Sequence, residues 1–208
     1  KFHQEEVQKV IDGLKGKLII KYYPTRSASV NTLAAHLKQM EIQEIKPDVV
    51  IVDYADILKP TAFYKEKRHA TGETYENLRG MAGEFDIPIW TASQANRSSL
   101  EEEVIDASKV SEDYSKVMTA DFVMSISRKV EDKIANTGRV HVIKNRFGID
   151  GITFPAEINT NTGLIQVHEA STYAGKEAQG KMNNSEEYLR KTLAKKYNDL
   201  SPKTDGFE

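Results

Sequence analysis

Two cations follow an apolar run in the segment VHVIKNRFGIDG, residues 140–151. The run from Val140 to Ile143 predicts a strand, and Lys144 and Arg146 come next at alternate positions. Because side chains two apart in a strand share a face, both cations are expected to point the same way. Such a pair suits a phosphate, since Arg binds anions as a two-pronged donor and Lys as a point charge. A solvated strand edge would show the same residues, because lysines are common there.

Polar residues also end two earlier apolar runs. Asp53 follows VVIV, and Ser93 and Gln94 follow IPIWTA. A carboxylate at a strand end can order Mg²⁺ through the waters of the ion, which dehydrates reluctantly. A glutamine there can hydrogen-bond a terminal phosphate or an attacking water without adding charge. The alternatives are an Asp that caps the following turn and polar strand ends that face solvent.

The elements that would position these residues alternate between apolar runs and helical patterns. The runs predict five strands and a terminal hairpin, at 17–23, 47–57, 86–94, 120–128, 138–146 and 151–169. Apolar residues at helical spacing predict helices within 30–40 and 75–85. Strands separated by helices predict a parallel sheet covered by helices, with 47–57 buried on both faces. The last strands lack helical crossovers and are expected to be antiparallel.

Composition sets the outer bounds. The chain has 208 residues, a formal net charge of −2 and no cysteine, and its charge points neither toward nor away from nucleic acid. No apolar run is long enough to span a membrane. A helical pattern from Phe2 to Leu14 opens the chain, which is therefore expected to be a piece of a longer protein. Residues 1–169 are expected to form the domain, and 170–208 a polar linker, a charged helix near 189–197 and a flexible tail.

A phosphate-binding loop of the form G-x-x-x-x-G-K-[ST] is not found in the sequence. The segment GLKGKL, residues 13–18, has the wrong glycine spacing and Leu18 in place of Ser or Thr, and it follows a helical pattern rather than a strand. The sequence therefore carries candidates for a metal carboxylate, a phosphate sensor and two anion-binding cations, without a cradle for the phosphates.

Four segments in order resemble motifs of the DnaB-type replicative helicases: DYADIL, LRGMAGEFDIPIWTASQANR, SEDYSKVMTADFVMSISR and VIKNRFGIDGI. They are similar, in turn, to the Walker B motif, the glutamine switch with its preceding helix, the segment after the central DNA loop, and the arginine finger. The resemblance covers roughly residues 17–167, and GKLIIKYYPTRSASVNTL is most similar to phage members. It implies an α/β fold: the carboxyl-terminal part of a RecA-like P-loop NTPase core, a mostly parallel twisted sheet flanked by helices, with a terminal antiparallel hairpin.

The resemblance also implies a role for each polar residue. Asp53 would organise Mg²⁺, and Ser93 and Gln94 would bind ATP, with Gln94 sensing the γ-phosphate. Lys144 and Arg146 would act in trans, reaching the γ-phosphate on the next subunit of a hexameric ring. The P-loop and the catalytic glutamate of the family lie upstream of the strand that 17–23 resembles, so this chain alone is expected to be inactive.

The implied activity of the intact protein is ATP-driven movement along single-stranded DNA and unwinding of the duplex at the replication fork. A primase or a loader protein is the implied partner, and the bacterial or phage-infected host cytoplasm is the implied location. The alternative is a RecA-like recombination mediator or helicase-loader module that binds DNA or a partner ring without hydrolysing ATP. The missing P-loop favours this alternative if the chain is complete, and the helicase if it is a fragment.

Two polar loops are the candidate contacts for single-stranded DNA. The first, 59–73, carries Lys59, Lys65, Lys67 and Arg68, and two aromatic residues at 63–64 lie between the first two lysines, which suits phosphates and unstacked bases. An ordinary solvated loop would have the same composition.

The second loop, 96–117, is predicted to end in a short helix. It begins near Arg97 but is rich in glutamate, which is unfavourable for DNA. Backbone amides, or Lys109 and Lys116, would then have to make the contacts.

Overall fold

The computed structural model describes residues 15–62, 67–95, 104 and 114–184, together with positions 6, 8–9, 12–13, 187, 191 and 193–195. The helices with defined bounds are α1 (Val30–Ile42), α2 (Lys67–Phe85), α3 (Ser115–Thr119), α4 (Val130–Ala135) and α5 (Tyr173–Asn183). The strands are β1 (Val50–Val52), β2 (Ile89–Thr91), β3 (Phe122–Ser127), β4 (Thr137–Asn145), β5 (Thr153–Asn159) and β6 (Leu164–Val167). A 3-10 helix, Ala55–Ile57, follows β1. None of the described helices is both long enough and apolar enough to cross a membrane.

Helix α1 begins at a reciprocal cap between Ser29 and Thr32. The Ser29 hydroxyl accepts from the Thr32 amide at 3.4 Å, and the Thr32 hydroxyl accepts from the Ser29 amide at 3.2 Å. These bonds satisfy amides that a helix start leaves unpaired. The predicted apolar faces of α1 and α2 meet in one buried cluster, formed by Val30, Leu37, Met40, Tyr75, Leu78 and Met81.

Strands β1 and β2 pair in parallel, with Val50 beside Ile89. The parallel pairing is as predicted, but both strands are shorter than the runs 47–57 and 86–94. The prediction that β1 is buried on both faces was wrong, because Ile51 is 74% exposed. The α1–α2 cluster covers one face of the pair, and the other face, which carries Ile51 and Trp90, is largely open in the described part of the chain.

The predicted first strand, residues 17–23, forms no strand. Leu18, Ile20 and Tyr22 are exposed. A β-strand depends on hydrogen bonds to a neighbour, and none of the segments that the structure describes pairs with this one. Apolar alternation is therefore not sufficient here to make a strand.

The second sheet is antiparallel throughout, in the order β3-β4-β5-β6. This confirms the expected antiparallel pairing of the last strands and the terminal hairpin, whose turn uses Gly163 at a φ of 72°. The mostly parallel single sheet is not found among the described residues, where the parallel pair and the antiparallel sheet are separate. The connections explain the pairing, because the link from β3 to β4 through the short α4 is too short for a parallel crossover.

Helix α4 was not predicted, and a buried carboxylate anchors it to β4. Asp132 Oδ2 accepts from the Lys129 amide at 2.9 Å and from Arg139 Nη1 at 2.7 Å. Asp132 is 1% exposed, so these donors replace the water that its carboxylate loses. Asn136 ends the helix in the left-handed region with a φ of 54°, which asparagine tolerates better than most residues.

Residues 170–184 were predicted to be a polar linker, and they contain α5, which packs on β5. Ala178 and Met182 are buried, and Lys181 Nζ lies 3.1 Å from Glu157 Oε1. The small residues that suggested a linker permit this close packing instead. The charged helix predicted near 189–197, the tail and the helical pattern from Phe2 to Leu14 lie wholly or mostly outside the described residues.

Candidate functional site

Asp53 lies at the carboxyl end of β1, directly after the strand, and is exposed. The Thr91 hydroxyl, at the end of β2, donates to the Val52 carbonyl at 2.9 Å and accepts from the Ala55 amide at 2.9 Å. These two bonds join the chain on both sides of Asp53 to the neighbouring strand. The backbone that presents the Asp53 carboxylate is therefore fixed by the pairing of β1 with β2.

Gln94 lies next to the same turn. Its Nε2 is 3.5 Å from the hydroxyl of Tyr54, the residue that follows Asp53. The structure thus brings the predicted carboxylate and the predicted sensor to one edge of the parallel pair. Both side chains are exposed, so a ligand bound at this edge can reach them.

Asp53 fits the ligand chemistry of Mg²⁺. This ion is usually held by one or two carboxylates, several waters and the phosphates of a substrate. The nearby Asp56 is less suitable, because both of its oxygens accept hydrogen bonds from hydroxyl groups of the chain. The part of the chain that the structure describes contains no group of three or more His, Asp and Glu side chains that could hold a metal. The residues present therefore fit a site with one carboxylate and water-mediated contacts.

Ser93 belongs to a polar cluster with Asp56, Tyr75 and Lys116. Asp56 Oδ1 accepts from the Tyr75 hydroxyl at 3.0 Å and from Lys116 Nζ at 2.9 Å, and Oδ2 accepts from the Ser93 hydroxyl at 3.0 Å. Lys116 Nζ also lies 3.0 Å from Ser93 Oγ and 5.4 Å from the centre of the Tyr75 ring. Burial, and then the charge of Asp56, raise the pKa of Tyr75 above its ordinary value, so its hydroxyl remains a hydrogen-bond donor.

Sequence reasoning missed Asp56, Tyr75 and Lys116 as members of this site. Lys116 was considered a DNA contact, and that assignment is wrong because its side chain is 3% exposed and pairs with Asp56. Asp56 had a signal, since it lies three residues after Asp53 in the motif DYAD. Lys116 had none, because a buried lysine in a polar stretch has the same local pattern as a solvated one.

Lys144 and Arg146 both reach residues 117–121, as expected for side chains on one face of a strand. Lys144 Nζ donates to the carbonyls of Val117 and Met118 at 2.9 and 2.8 Å. Arg146 Nη1 lies 2.7 Å from Asp121 Oδ1. Desolvation, and then the positive charge of Arg146, lower the pKa of Lys144.

The two cations do not hydrogen-bond Asp53, Ser93 or Gln94, and they belong to the antiparallel sheet rather than to the parallel pair. Helix α3 lies between the two groups, because it contacts one through Lys116 and the other through its carbonyls.

A cleft of about 650 Å³ separates the two sheets. Trp90 of β2 and Phe122 of β3 meet there edge to face, with ring centres 5.9 Å apart. Ser93 and Gln94 line the cleft as well, and most of its surface is apolar. The polar residues Ser93 and Gln94 therefore border an apolar interior.

The predicted DNA contacts are only partly described. Lys65 and Arg97 lie outside the described residues. Lys67 and Arg68 begin α2, so the prediction of a loop as far as residue 73 was wrong. Ala70, Thr71 and Thr74 are buried, so tertiary packing holds the first turns of α2 in a helix before its apolar periodicity begins.

Two solved structures share this fold. One is an ATPase domain that matches with a TM-score of 0.60 and 21% identity, over 68% of this chain and 52% of that chain. The other is a DnaB-like replicative helicase described with its interactions with primase; it matches with a TM-score of 0.59 and 22% identity, over 68% and 35% of the two chains. The fold is therefore that of the ATPase domains of DnaB-like helicases.

The sequence profile of the DnaB-like helicase C terminal domain matches residues 2–160. The chain belongs to this family, as the resemblance of its four motifs indicated. A curated relative, the DnaB-like replicative helicase of Enterobacteria phage T4, is 31% identical over 137 residues, which are 64% of this chain and 29% of the relative. The chain thus spans less than a third of the length of that relative.

Proposed function

We propose that this chain is part of an ATP-dependent replicative DNA helicase that moves along single-stranded DNA and separates the duplex at the replication fork. The observation that carries the proposal is the edge of the parallel pair where Asp53 follows β1 and Gln94 follows β2, with Gln94 Nε2 3.5 Å from the hydroxyl of Tyr54. A carboxylate for Mg²⁺ and an uncharged amide near the γ-phosphate are groups that phosphoryl transfer needs. Membership of the helicase family supports the same assignment.

At this edge Asp53 is the residue that would hold Mg²⁺ through water, and Gln94 would hydrogen-bond the γ-phosphate or the attacking water. Bound Mg²⁺ would neutralise charge on the phosphates. Ser93 would stand beside the nucleotide and support Gln94, because its hydroxyl is fixed by Asp56. The sequence contains no P-loop, so the chain by itself is proposed not to hydrolyse ATP.

Lys144 and Arg146 are proposed to complete the site of the neighbouring subunit in a hexameric ring. Cations that meet the charge developing on a transferred phosphoryl group raise the rate by about 10³–10⁵. The Arg146 side chain is half-exposed, so a partner can reach it. Its present partner, Asp121, is also half-exposed, and such pairs are easily exchanged.

Single-stranded DNA and a primase or a loader protein are the proposed partners. Lys65, Lys67, Arg68 and Arg97 would contact the phosphates of single-stranded DNA. A primase or a loader protein would bind the ring, and the bacterial or phage-infected host cytoplasm would be the place of action. The primase named with one solved helicase makes a primase a reasonable first partner to test.

The test is ATP hydrolysis and strand separation by the full-length protein with Asp53→Asn. The matched control is Asp48→Asn, which changes an exposed Asp before the same strand. We expect the Asp53 variant to lose both activities and the control to keep them. A wild-type protein that binds DNA but does not hydrolyse ATP would instead establish the non-catalytic mediator or loader, which none of the comparisons favours.

A further inference from the structure

One side of α3 is tied to the edge that carries Gln94. Lys116, in the first turn of α3, is 3% exposed, and its Nζ lies 2.9 Å from Asp56 Oδ1 and 3.0 Å from Ser93 Oγ. Asp56 belongs to the 3-10 helix that follows Asp53, and Ser93 precedes Gln94. One ammonium group therefore joins three segments that lie far apart in the sequence.

The other side of α3 is tied to the proposed finger. Lys144 Nζ donates to the carbonyls of Val117 and Met118 at 2.9 and 2.8 Å. Just beyond the helix, Asp121 Oδ1 lies 2.7 Å from Arg146 Nη1. Both cations of the finger therefore rest on α3 or on the chain that leaves it.

The ion pair between Lys116 and Asp56 is difficult to break. Moving Lys116 away from Asp56 would leave an unpaired charge in a place that water hardly reaches, which is strongly unfavourable. Lys116 and Asp56 are therefore expected to move together. A displacement at the Ser93–Gln94 edge is then passed to α3, and from its carbonyls to Lys144, because packed elements shift between discrete positions.

We propose that Lys116 is a positioning residue that couples the chain's own nucleotide edge, through Asp56 and Ser93, to the placement of Lys144 and Arg146 at the neighbouring site. The inference rests on the proposed function, because it needs ATP at Gln94 and a finger that acts in trans. Lys116 itself is too buried to touch either nucleotide. The consequence is cooperativity: ATP bound by one subunit changes the finger that the next subunit receives.

The experiment measures ATP hydrolysis by the full-length protein against ATP concentration, for wild type, Lys116→Met and Asp56→Asn. We expect a Hill coefficient above 1 for wild type and of about 1 for both variants. A merely structural role would reduce the fraction of active protein, which lowers kcat and leaves the Hill coefficient unchanged. Asp56→Asn keeps one acceptor oxygen and presents its NH2 to the other hydroxyl, which can accept, so it is a near-isosteric second test of the coupling if Lys116→Met does not fold.

The matched controls are Lys38→Met and Glu84→Gln. Lys38 Nζ lies 2.8 Å from Glu84 Oε1, and the two side chains are 59% and 52% exposed. This ion pair also joins two helices, but it lies on the surface and leads to no site residue. Both controls are expected to keep the wild-type Hill coefficient.

The double variant Asp56→Asn, Lys116→Met separates stability from coupling. It leaves no unpaired charge, so we expect it to regain thermal stability relative to Lys116→Met while its Hill coefficient stays at about 1. A return of cooperativity in the double variant would overturn the inference, and so would wild-type cooperativity in both folded single variants. A wild-type protein that hydrolyses ATP with a Hill coefficient of 1 would overturn it too, while leaving the proposed function intact. A wild-type protein without ATP hydrolysis would overturn both.

Discussion

Arg146 Nη1 lies 2.7 Å from Asp121 Oδ1, and the same oxygen lies 3.0 Å from Nη2 of Arg79. One carboxylate therefore serves two guanidinium groups, and Asp121 keeps a partner when Arg146 leaves. Ion pairs between half-exposed side chains of this kind contribute about 1 kcal/mol. Arg146 can thus exchange Asp121 for a phosphate at small cost.

We expect Arg146→Ala in the full-length protein to lower kcat for ATP hydrolysis by about 10³-fold. KM should rise much less, because the variant removes an interaction that is made with the transition state. The residue lies at a strand end and is half-exposed, so its truncation opens no core cavity. Steady-state phosphate release is the measurement, and Lys176→Ala, an exposed lysine of α5, is the control.

If the finger works in trans, mixing two inactive variants should restore ATP hydrolysis. An Arg146→Ala subunit keeps its own nucleotide edge, and an Asp53→Asn subunit keeps its own finger. Equal and random mixing gives roughly a quarter of the ring interfaces an intact edge facing an intact finger. We expect measurable ATP hydrolysis after mixing. No recovery, with subunit exchange verified independently, would contradict action in trans.

Replacing Lys65, Lys67 and Arg68 together with Ala should weaken the binding of single-stranded DNA. The slope of log affinity against log salt should become shallower by about 0.7 for each phosphate that the variant no longer binds. Fluorescence anisotropy over a salt series measures this slope. The control replaces the exposed Lys176, Lys191 and Lys195, so that the net charge changes equally. Equal slopes for both triple variants would show that the residues at 65–68 are ordinary solvated cations.

Asp132→Ala should destabilise the antiparallel sheet by about 3 kcal/mol, because it leaves the mostly buried guanidinium of Arg139 without its carboxylate partner. It also removes the acceptor that holds the Lys129 amide at the start of α4. Urea unfolding followed by circular dichroism gives the free energy of unfolding. Glu131→Ala, on the same helix, is the control and should change that free energy by less than about 0.5 kcal/mol. Similar losses in both variants would refute an anchoring role for Asp132.

Tyr75→Phe should change how stability depends on pH. The pKa of Tyr75 is raised in the folded chain, chiefly by burial, so folding favours the protonated hydroxyl. This contribution to the free energy of unfolding is complete below the pKa that tyrosine has in the unfolded chain, about 10. Above that pH it is lost by about 1.4 kcal/mol per pH unit.

The variant should therefore be less stable than wild type near pH 8, by about 1 kcal/mol for the missing bond to Asp56. Its free energy of unfolding should fall less steeply between pH 10 and the folded pKa of Tyr75. Urea midpoints at pH 8 and pH 11, read from the fluorescence of Trp90, measure both effects. Parallel pH dependences in wild type and variant would contradict the raised pKa.

Much of the fold could be predicted from local patterns. The face of α1, the core of α2 and the antiparallel strands from β3 to β6 follow from apolar periodicity and turn residues, which act over a few positions. Local patterns could not predict which segments pair with or pack on one another. Residues 17–23 have a strand pattern but no partner among the described residues, and 173–183 have the composition of a linker but pack on β5.

The candidate site, like the fold, could be predicted only in part from the sequence. The sequence by itself determined that Asp53, Gln94, Lys144 and Arg146 lie at or near the carboxyl ends of strands, because an apolar run followed by a polar residue is a local signal. Only the tertiary structure decided that Lys116 is buried against Asp56, sixty positions earlier, and that Lys144 rests on the carbonyls of α3. Burial and ion pairing depend on which segments meet, and that is settled by the packing of the whole domain rather than by any one stretch of residues.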